Sequence, residues 1–421
     1  MSLLTLEIEK AAAGGRMLAR HDGQVVLVAG AIPGERVVAR LERKERGVAF
    51  ADVAEVLQPS ADRRTVAGDS RCGGNVFAHI EYARQLTLKG EIIQDAFRRI
   101  GRIPLAKAPS VVGSPERGYR MRARLHVSGG RVGFFLEGTH QVCDVASTGQ
   151  LLPETAEWVA GLNRALTQDQ MRGLAAIDVA ENIPGRERAC HLELHPGAEA
   201  PDYAAVGEGL TGLSAQHSDR PGVLRISGTP IVTDSVHVDD DPSHVLSLSR
   251  DARAFFQGNR FLVEPLVRRV VQLVPPGPVI DLYAGVGLFG LSLAAAGWES
   301  VTAVEGDPVA AADLERNAAP LGNRARPLRR SVESYLASAR KGDVSSATVI
   351  VDPPRTGISK DAIAHLIRLQ PSRIVYISCD VATLARDMRS LHDAGYGLAD
   401  LGGIDLFPNT AHVESVAVLT R

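Results

Sequence analysis

A chain of 421 residues is longer than one hydrophobic core usually organises, so two or three domains are expected. The composition, 45% hydrophobic and 23% charged, is that of an ordinary globular protein, and no run approaches the roughly 18 consecutive apolar residues of a membrane span, which predicts a cytoplasmic protein without a membrane partner. A formal net charge of −2 gives no overall attraction to nucleic acid, so any surface that binds nucleic acid has to be a local patch.

The cysteines are widely spaced in a chain too large to need disulfide bonds. Free thiols in a reducing compartment are therefore expected rather than bridges. Each thiol has to be interpreted on its own. They are Cys72, Cys143, Cys190 and Cys379.

Residues 1–60 consist of short β-type runs: LTLEIE, QVVLVAGAIPGE, VVARLE and VAFADVAEVL. The turn residues His21, Asp22 and Gly23 separate the first two runs. Short strands with Gly and Pro turns at this spacing predict a small β-barrel. Its charges are nearly balanced, so it either binds RNA or only docks on the main domain.

Residues 61–250 are predicted to form a β-rich region, and the basic strand described next predicts that this region binds RNA. The run 82–102 has apolar side chains near helical spacing, and this helix is expected to pack on the C-terminal domain, residues 251–421, which carries the candidate catalytic residues. These apolar side chains are Leu86, Ile92, Ile93, Phe97 and Ile100.

Strict alternation in YRMRARLHV predicts a strand over 119–127 with one apolar and one basic face. The range 117–131 contains no acid, so the basic face is a positive stripe suited to phosphate groups. A solvated sheet face is the alternative, but such faces usually mix both charges. We name Arg120, Arg122 and Arg124 the arginine stripe; His126 shares their face, and Met121, Ala123, Leu125 and Val127 form the other.

From residue 251 to 421 the apolar runs PVIDLYAG, SVTAVEGD, ATVIVDPP and RIVYISCD alternate with helical segments. This pattern predicts a Rossmann-like α/β domain with a parallel sheet covered on both faces. Gly285 and Gly287 after the first strand allow the close backbone approach that a nucleotide-bearing cofactor needs. Glu305 ends the second strand, where an acid binds ribose hydroxyls in such folds.

Two cofactor classes fit these glycines, a nicotinamide dehydrogenase and a methyltransferase. The DPPR motif, Asp352 to Arg355, favours the methyltransferase, because a dehydrogenase has no use for two successive prolines there. Amino-directed methyltransferases usually close this loop with an aromatic residue, so Arg355 indicates different chemistry.

Cys379 ends the strand RIVYISCD, at the same edge of the sheet as Asp352. A buried structural cysteine is the common alternative, but position at the ligand-binding edge favours a nucleophile. Glu414 and His412 precede the last strand. Glu414 is a candidate base, and the alternative is that it is only a polar strand residue. His412 is a lesser candidate, and the alternative is that it is an ordinary loop histidine.

The ordered motifs FFQGN, DLYAGVG, VE, DPPRTG, VYISCDVATLARD and FPNTAHVE resemble the uridine-5 methyltransferases of bacterial ribosomal and transfer RNA. The resemblance covers nearly the whole chain, because residues 1–60 also resemble the TRAM domain of these enzymes. It implies a class I methyltransferase that uses S-adenosylmethionine to form 5-methyluridine in RNA. It implies Gln257, Tyr283, Glu305 and Asp352 as cofactor-binding residues, Cys379 as covalent nucleophile and Glu414 as proton acceptor.

Ribosomal RNA is the expected partner rather than transfer RNA, because a TRAM-like barrel implies a larger RNA footprint. The protein is expected to be a monomer. A transfer RNA 5-methyluridine methyltransferase and a catalytically silent RNA-binding paralogue are the alternatives. Retention of Cys379, Glu414 and Gln257 together argues against the silent paralogue.

The chain departs from the family pattern near the predicted site. Asp380 and Val381 follow Cys379 where Asn and Pro are usual, and an anion there disfavours the thiolate unless it points away or is paired. Ser331 stands where an acid is expected, which predicts the loss of one contact on the adenine side.

The iron–sulfur ligands of the family are also largely replaced. Val66, Asn75 and about Thr148 stand where cysteines are expected, Cys72 is retained, and Cys143 falls on an apolar strand position. One thiolate, or two at most, cannot hold a cluster that normally takes four. We therefore expect no iron–sulfur cluster and no metal site.

Overall fold

The computed structural model of the chain describes residues 2–45, 47–66, 68–198 and 204–421. The N-terminal strands are β1 (Leu3–Ala11), β2 (Met17–His21), β3 (Gln24–Ala29), β4 (Arg36–Glu45) and β5 (Val48–Gln58). They form a closed barrel in the order β1-β2-β3-β5-β4. Asp22 (φ 49°) and Gly23 (φ 77°) make the two-residue loop between β2 and β3, as Asp-Gly hairpins do. The predicted small barrel is confirmed.

A helix joins the barrel to the rest of the molecule. Within the predicted run 82–102, α1 (Tyr82–Ala96) continues into a π-helical turn (Phe97–Gly101), and a short strand, β6 (Val111–Val112), follows. Leu88 of α1 packs with the barrel core, whereas Ile93 packs with the core of the catalytic domain. The helix therefore contacts both.

The central region is a sheet with helices packed on it. Its strands are β7 (Arg122–Ser128), β8 (Arg131–Phe135), β9 (Val142–Cys143), β10 (Leu174–Glu181), β11 (Arg188–Leu194), β12 (Gly212–His217) and β13 (Leu224–Gly228), in the order β13-β12-β11-β10-β7-β8-β9. Its helices are α2 (Pro153–Ala165), α3 (Gln168–Gly173) and α4 (Ala204–Gly207), with a 3-10 turn at Val145–Thr148.

Strand β7 has the predicted alternation, since Met121, Ala123 and Leu125 are buried. The strand begins at Arg122 rather than at residue 119. The reason is that the N–H groups of Arg120 and Met121 donate to Gln150 O and Gly258 O, both at 2.9 Å, and not to a neighbouring strand.

The remaining chain forms a hairpin and an α/β domain. The elements are β14 (Ile231–His237), β15 (Val245–Asp251), α5 (Val263–Leu273), β16 (Val279–Leu282), α6 (Leu288–Ala295), β17 (Val301–Glu305), α7 (Pro308–Ala318), a 3-10 turn (Ala319–Arg324), β18 (Ala325–Arg329), α8 (Val332–Ser338), α9 (Lys341–Ser345), β19 (Thr348–Val351), α10 (Lys360–Leu369), β20 (Arg373–Ser378), α11 (Val381–Asp393), β21 (Gly397–Ile404) and β22 (Glu414–Thr420). The hairpin β14–β15 packs on the α/β domain, where Ser249 N donates to Asn317 Oδ1 at 2.9 Å.

The main sheet has the order β18-β17-β16-β19-β20-β22-β21-β6. Strands β16 to β20 are parallel, and β22 runs antiparallel between β20 and β21. Alternate residues point to opposite faces: Val279 packs with α5, α6 and α7, and Ile280 packs with α8, α10, α11 and α1. The predicted parallel sheet covered on both faces is confirmed. Across the described ranges, no helix is long and apolar enough to span a membrane.

The segment 405–413, which leads into β22, is held by residues from the first quarter of the chain. Buried Lys89 of α1 donates to the buried Asp405 carboxylate and to Phe407 O. The side-chain amide of Gln85 exchanges hydrogen bonds of 2.9 and 3.0 Å with Asn409. We name this segment the 405–413 loop.

The expectation of free thiols is wrong for two cysteines, because Cys72 and Cys143 form a disulfide bond with a Cα–Cα distance of 5.9 Å. Both lie beside β8. Cys72 pairs with Leu136 just after that strand, and Cys143 pairs with Phe134 within it. The fold thus brings together two residues separated by 71 positions, whereas Cys190 and Cys379 are free.

Candidate active site

The strand order changes direction between β16 and β19, and open α/β sheets bind ligands at such a point. The loop after β16 has positive φ at Tyr283 (59°), Gly285 (56°) and Gly287 (102°). A Cβ on Gly287 would lie 2.4 Å from Leu291, whereas one on Gly285 would meet no described atom within 4 Å. Gly287 therefore serves close packing, and Gly285 leaves space for a ligand beside the backbone.

Two carboxylates lie beside this loop. Glu305 accepts hydrogen bonds from Gly285 N (2.8 Å) and Asp307 N (2.6 Å). Fully buried Asp281 accepts one from Gly290 N (2.8 Å), and its other oxygen has no hydrogen-bond partner among the described residues. Burial and the negative charge of Glu305 raise the pKa of Asp281 to about 7.

A third carboxylate, Asp352, follows β19 and accepts a 3.1 Å hydrogen bond from buried Gln257. Burial in the crevice and the charge of Asp281 raise the pKa of Asp352 to about 8. No cation among the described residues stabilises the ionised forms of Asp281 and Asp352. The unpartnered oxygen of Asp281 and the open side of Gly285 fit the sulfonium cofactor S-adenosylmethionine.

Tyr283 and Ser331 lie on the α8 side of the crevice. The half-buried Tyr283 hydroxyl is near the Ser359 backbone and Glu333, and burial raises its pKa. Ser331 Oγ accepts a 3.2 Å hydrogen bond from Ser334 N and so caps α8. Ser331, at the position where the family has an acid, therefore has a role in capping the helix.

Cys379 and Glu414 face each other at the end of the sheet. Strand β20 pairs antiparallel with β22, and Ser378 is opposite Ser415. The next pair in this register is Cys379 and Glu414. The Cys379 side chain is half-buried, and Glu414 is 4% exposed.

Arg355 is the cation next to this pair. Burial and the charge of Glu414 raise the pKa of Cys379 to about 11, and Arg355 opposes that rise. Burial and the charge of Asp352 raise the pKa of Glu414 well above its usual value, again opposed by Arg355. Arg355 is not among the site residues predicted from the sequence. The DPPR motif could have indicated it, because this motif ends the strand next to the one that ends at Cys379.

Asp380, the anion that follows Cys379 in the sequence, is hydrogen-bonded by the backbone of the next helix. Its Oδ1 accepts a 2.8 Å hydrogen bond from Thr383 N, so it caps α11. Val381 is buried in the first turn of that helix, a position that also suits proline.

His412 lies in the cleft above Cys379, with its ring 6.2 Å from the Phe407 ring in an edge-on arrangement. It keeps solvent contact through the cleft mouth. Desolvation by the cleft walls, together with the positive charges of Arg355, Lys89 and Arg120, lowers the pKa of His412 to about 4. This makes His412 a weaker base than Glu414.

The thiol of Cys379 opens into a cleft of about 500 Å³. The barrel, the segment around Gly73, the central sheet and the catalytic domain all contribute to its walls. Central-sheet residues at the cleft include Arg120, Arg124, His126 and Phe135.

The arginine stripe makes more internal contacts than its sequence suggests. Arg120 donates to Gln150 Oε1 (2.7 Å), and Arg122 donates to Ala254 O (3.2 Å). Arg124 forms ion pairs with Asp178 (2.9 Å) and Glu193. The acids absent from residues 117–131 are thus supplied by the neighbouring strand β10 and by β11 beyond it, and RNA contact by the stripe stays a prediction.

Comparison with known proteins identifies the family. A profile for tRNA (uracil-5-)-methyltransferases matches residues 231–421, and a TRAM domain profile matches residues 2–54. The 23S rRNA (uracil(1939)-C(5))-methyltransferase RlmD of Acidithiobacillus ferrooxidans is 33% identical over 98% of this chain and 96% of that protein. The chain belongs to the RNA uracil-5 methyltransferase family. An uncharacterized RNA methyltransferase of Streptomyces coelicolor is 32% identical to this chain, over 98% of this chain and 92% of its own length.

This uracil-5 methyltransferase shares its fold with the Pyrococcus abyssi tRNA (uracil-54, C5)-methyltransferase in complex with S-adenosyl-L-homocysteine. The TM-score is 0.74 at 24% identity, covering 99% of this chain and 100% of that one. The predicted enzyme class, fold class and S-adenosylmethionine dependence are confirmed by family membership. The alternative of a nicotinamide dehydrogenase is wrong.

Proposed function

We propose that this uracil-5 methyltransferase modifies a uridine of 23S ribosomal RNA, with Cys379 as covalent nucleophile and Glu414 as proton acceptor. The observation that carries the proposal is the position of Cys379 opposite Glu414 at the crevice that contains Asp352. Ribosomal RNA is supported by relatives such as RlmD of Acidithiobacillus ferrooxidans, which align over nearly the full length of the chain. A transfer RNA substrate is the second candidate, favoured by the description of the family profile.

In this proposal, S-adenosylmethionine binds along the crevice beside Gln257, Tyr283, Glu305 and Asp352. When bound, it supplies an electrophilic methyl group. Glu305 is anchored to the Gly285 loop, where it can accept from ribose hydroxyls. Gln257 holds the Asp352 carboxylate through its 3.1 Å hydrogen bond.

The first step activates the base, because carbon-5 of uracil is a poor nucleophile. The Cys379 thiolate adds to carbon-6, so that a sulfur–carbon bond forms and the carbon-5–carbon-6 π pair moves into an enolate. The enolate pair at carbon-5 would then form the bond to the methyl carbon, and the pair of the methyl–sulfur bond would leave with the sulfur of the cofactor as a neutral thioether. Arg355 stabilises the thiolate before addition, since it is the cation that opposes the rise in the pKa of Cys379.

The second step restores the aromatic base. Glu414 takes the proton from carbon-5, the electron pair of that bond re-forms the double bond, and the carbon–sulfur bond breaks to return the thiolate. The raised pKa of Glu414 makes it a stronger proton acceptor than an ordinary carboxylate.

The substrate is tested by mass spectrometry of ribonuclease fragments from ribosomal and transfer RNA, with and without the gene. Loss of one methyl group from a 23S rRNA uridine is the expected result. Loss from transfer RNA instead would establish the second candidate.

The nucleophile is tested with substrate RNA carrying 5-fluorouridine. Fluorine replaces the proton that Glu414 removes, so a denaturant-resistant protein–RNA adduct should accumulate in the wild type. Cys379→Ala should form no adduct and no product, yet bind S-adenosylmethionine normally. Absence of an adduct with a confirmed substrate would refute the covalent mechanism.

A further inference from the structure

One feature of the cleft has no part in the mechanism. The rings of His126 on β7 and Phe135 at the end of β8 are stacked, with centroids 3.7 Å apart and an interplanar angle of 9°. His140 meets Phe135 edge-on at 5.6 Å. Both stacked rings line the cleft that contains Cys379, and both are half-buried.

The strand register explains why the two rings meet. His126 is opposite Gly133, so Phe135 lies on the same face as His126, one diagonal step along the neighbouring strand. Gly133 has no side chain to separate them. This face also carries the arginine stripe.

Two flat rings in an open, cationic cleft are suited to a nucleobase. Single-stranded RNA is recognised largely by stacking of unpaired bases on aromatic side chains, with basic residues along the phosphates. Arg124 is next to Phe135 across the strands, and Arg120 and Arg355 also line the cleft. Burial and the charge of Arg124 lower the pKa of His126, so at neutral pH the imidazole offers an uncharged ring.

We propose that the His126–Phe135 pair is a stacking site for the base of a nucleotide neighbouring the target uridine. The inference rests on the proposed function, because that function brings a flipped uridine to Cys379 and its neighbours along the same cleft. The ligand is an unpaired base of single-stranded RNA, and a purine should bind more strongly because its ring system is larger.

The test is a double-mutant cycle between Phe135 and the RNA. The probe is a fluorescein-labelled 12-nucleotide single-stranded RNA with one central uridine flanked by adenosines, and each adenosine is replaced in turn by an abasic site. Phe135→Ala should weaken binding by about 5- to 150-fold, the equivalent of one lost base stack. At one flanking position the abasic substitution should weaken binding of the wild type but not of Phe135→Ala.

Three further variants make the result interpretable. Phe135→Trp should retain the affinity, and Phe135→Leu replaces the alanine variant if that one does not fold, as judged by S-adenosylhomocysteine binding. Phe261→Leu is the matched control, since Phe261 is 42% exposed and does not line the cleft. Additive losses at every position, or unchanged affinity in both Phe135→Ala and Phe135→Leu, would overturn the stacking site.

This outcome is separate from that of the proposed function. Methylation of 23S rRNA, scored in the fragment assay, can fail while the coupling between Phe135 and a base persists. It can also succeed while the coupling is absent.

Discussion

Binding of S-adenosylmethionine should release protons, because the crevice holds two buried carboxyl groups whose pKa values are raised. The pKa of Asp352 is raised to about 8 and that of Asp281 to about 7. At pH 7 the free protein thus holds about one proton on this pair of carboxyl groups. A sulfonium charge beside them favours the ionised forms, so up to about one proton should be released per cofactor bound.

The sign of the pH dependence follows from this. The affinity for S-adenosylmethionine should be highest above the raised pKa values of the two acids and should fall as the pH drops through 8 and 7. With about one proton displaced per cofactor bound, the dissociation constant should rise by up to about 10-fold for each pH unit below these pKa values. S-adenosylhomocysteine is the matched control, because it has the same amino and carboxyl groups but no sulfonium charge.

The assay is isothermal titration calorimetry in two buffers of different ionisation enthalpy, which gives the number of protons directly. Asp352→Asn should lower that number, because one of the two acids is removed. If the ratio of the two ligands' dissociation constants does not change from pH 6 to pH 9, the two acids do not sense the sulfonium and the argument is wrong.

Four other outcomes are expected. Glu414→Gln should accumulate the methylated covalent intermediate on normal substrate, seen as a denaturant-resistant band; wild-type turnover would mean another base. Cys143→Ser should lower the free energy of unfolding by about 4 kcal/mol, because the disulfide closes a loop of 71 residues. In urea unfolding, the oxidised and the reduced wild type should differ in free energy by the same amount, and equal unfolding midpoints for the two forms would contradict this. Replacing the whole arginine stripe by Gln should reduce the slope of log affinity against log salt concentration by up to about two rather than three, because Arg124 is already paired with acids. An unchanged slope would mean that the stripe makes no contact with RNA phosphates. Anaerobically purified protein should be colourless with negligible iron, and stoichiometric iron and sulfide would refute the assignment of the missing ligands.

Features encoded at strand ends were predictable from the sequence. Gly285, Glu305, Asp352 and Cys379 each follow or end an apolar strand, and the carboxyl ends of parallel strands share one edge. Their roles in binding and catalysis stay predictions, but their common location does not depend on distant contacts.

Features that depend on pairing between distant segments were not predictable. The Cys72–Cys143 bond exists because two loops flank β8, which no spacing rule indicates. The acids that pair with Arg124 come from strands more than fifty residues away. Strand β6 has two residues, too few for a periodic signal.

The 405–413 loop has a consequence for dissecting the enzyme into modules. Although a family profile matches residues 231–421 by themselves, the approach to Glu414 is anchored by Lys89 and Gln85 from α1. A fragment that starts at the hairpin would expose Asp405 to solvent and lose the partners that fix this approach. Transplanting the methyltransferase domain onto another RNA-binding module therefore requires carrying α1 along, so the smallest transferable unit is discontinuous in sequence.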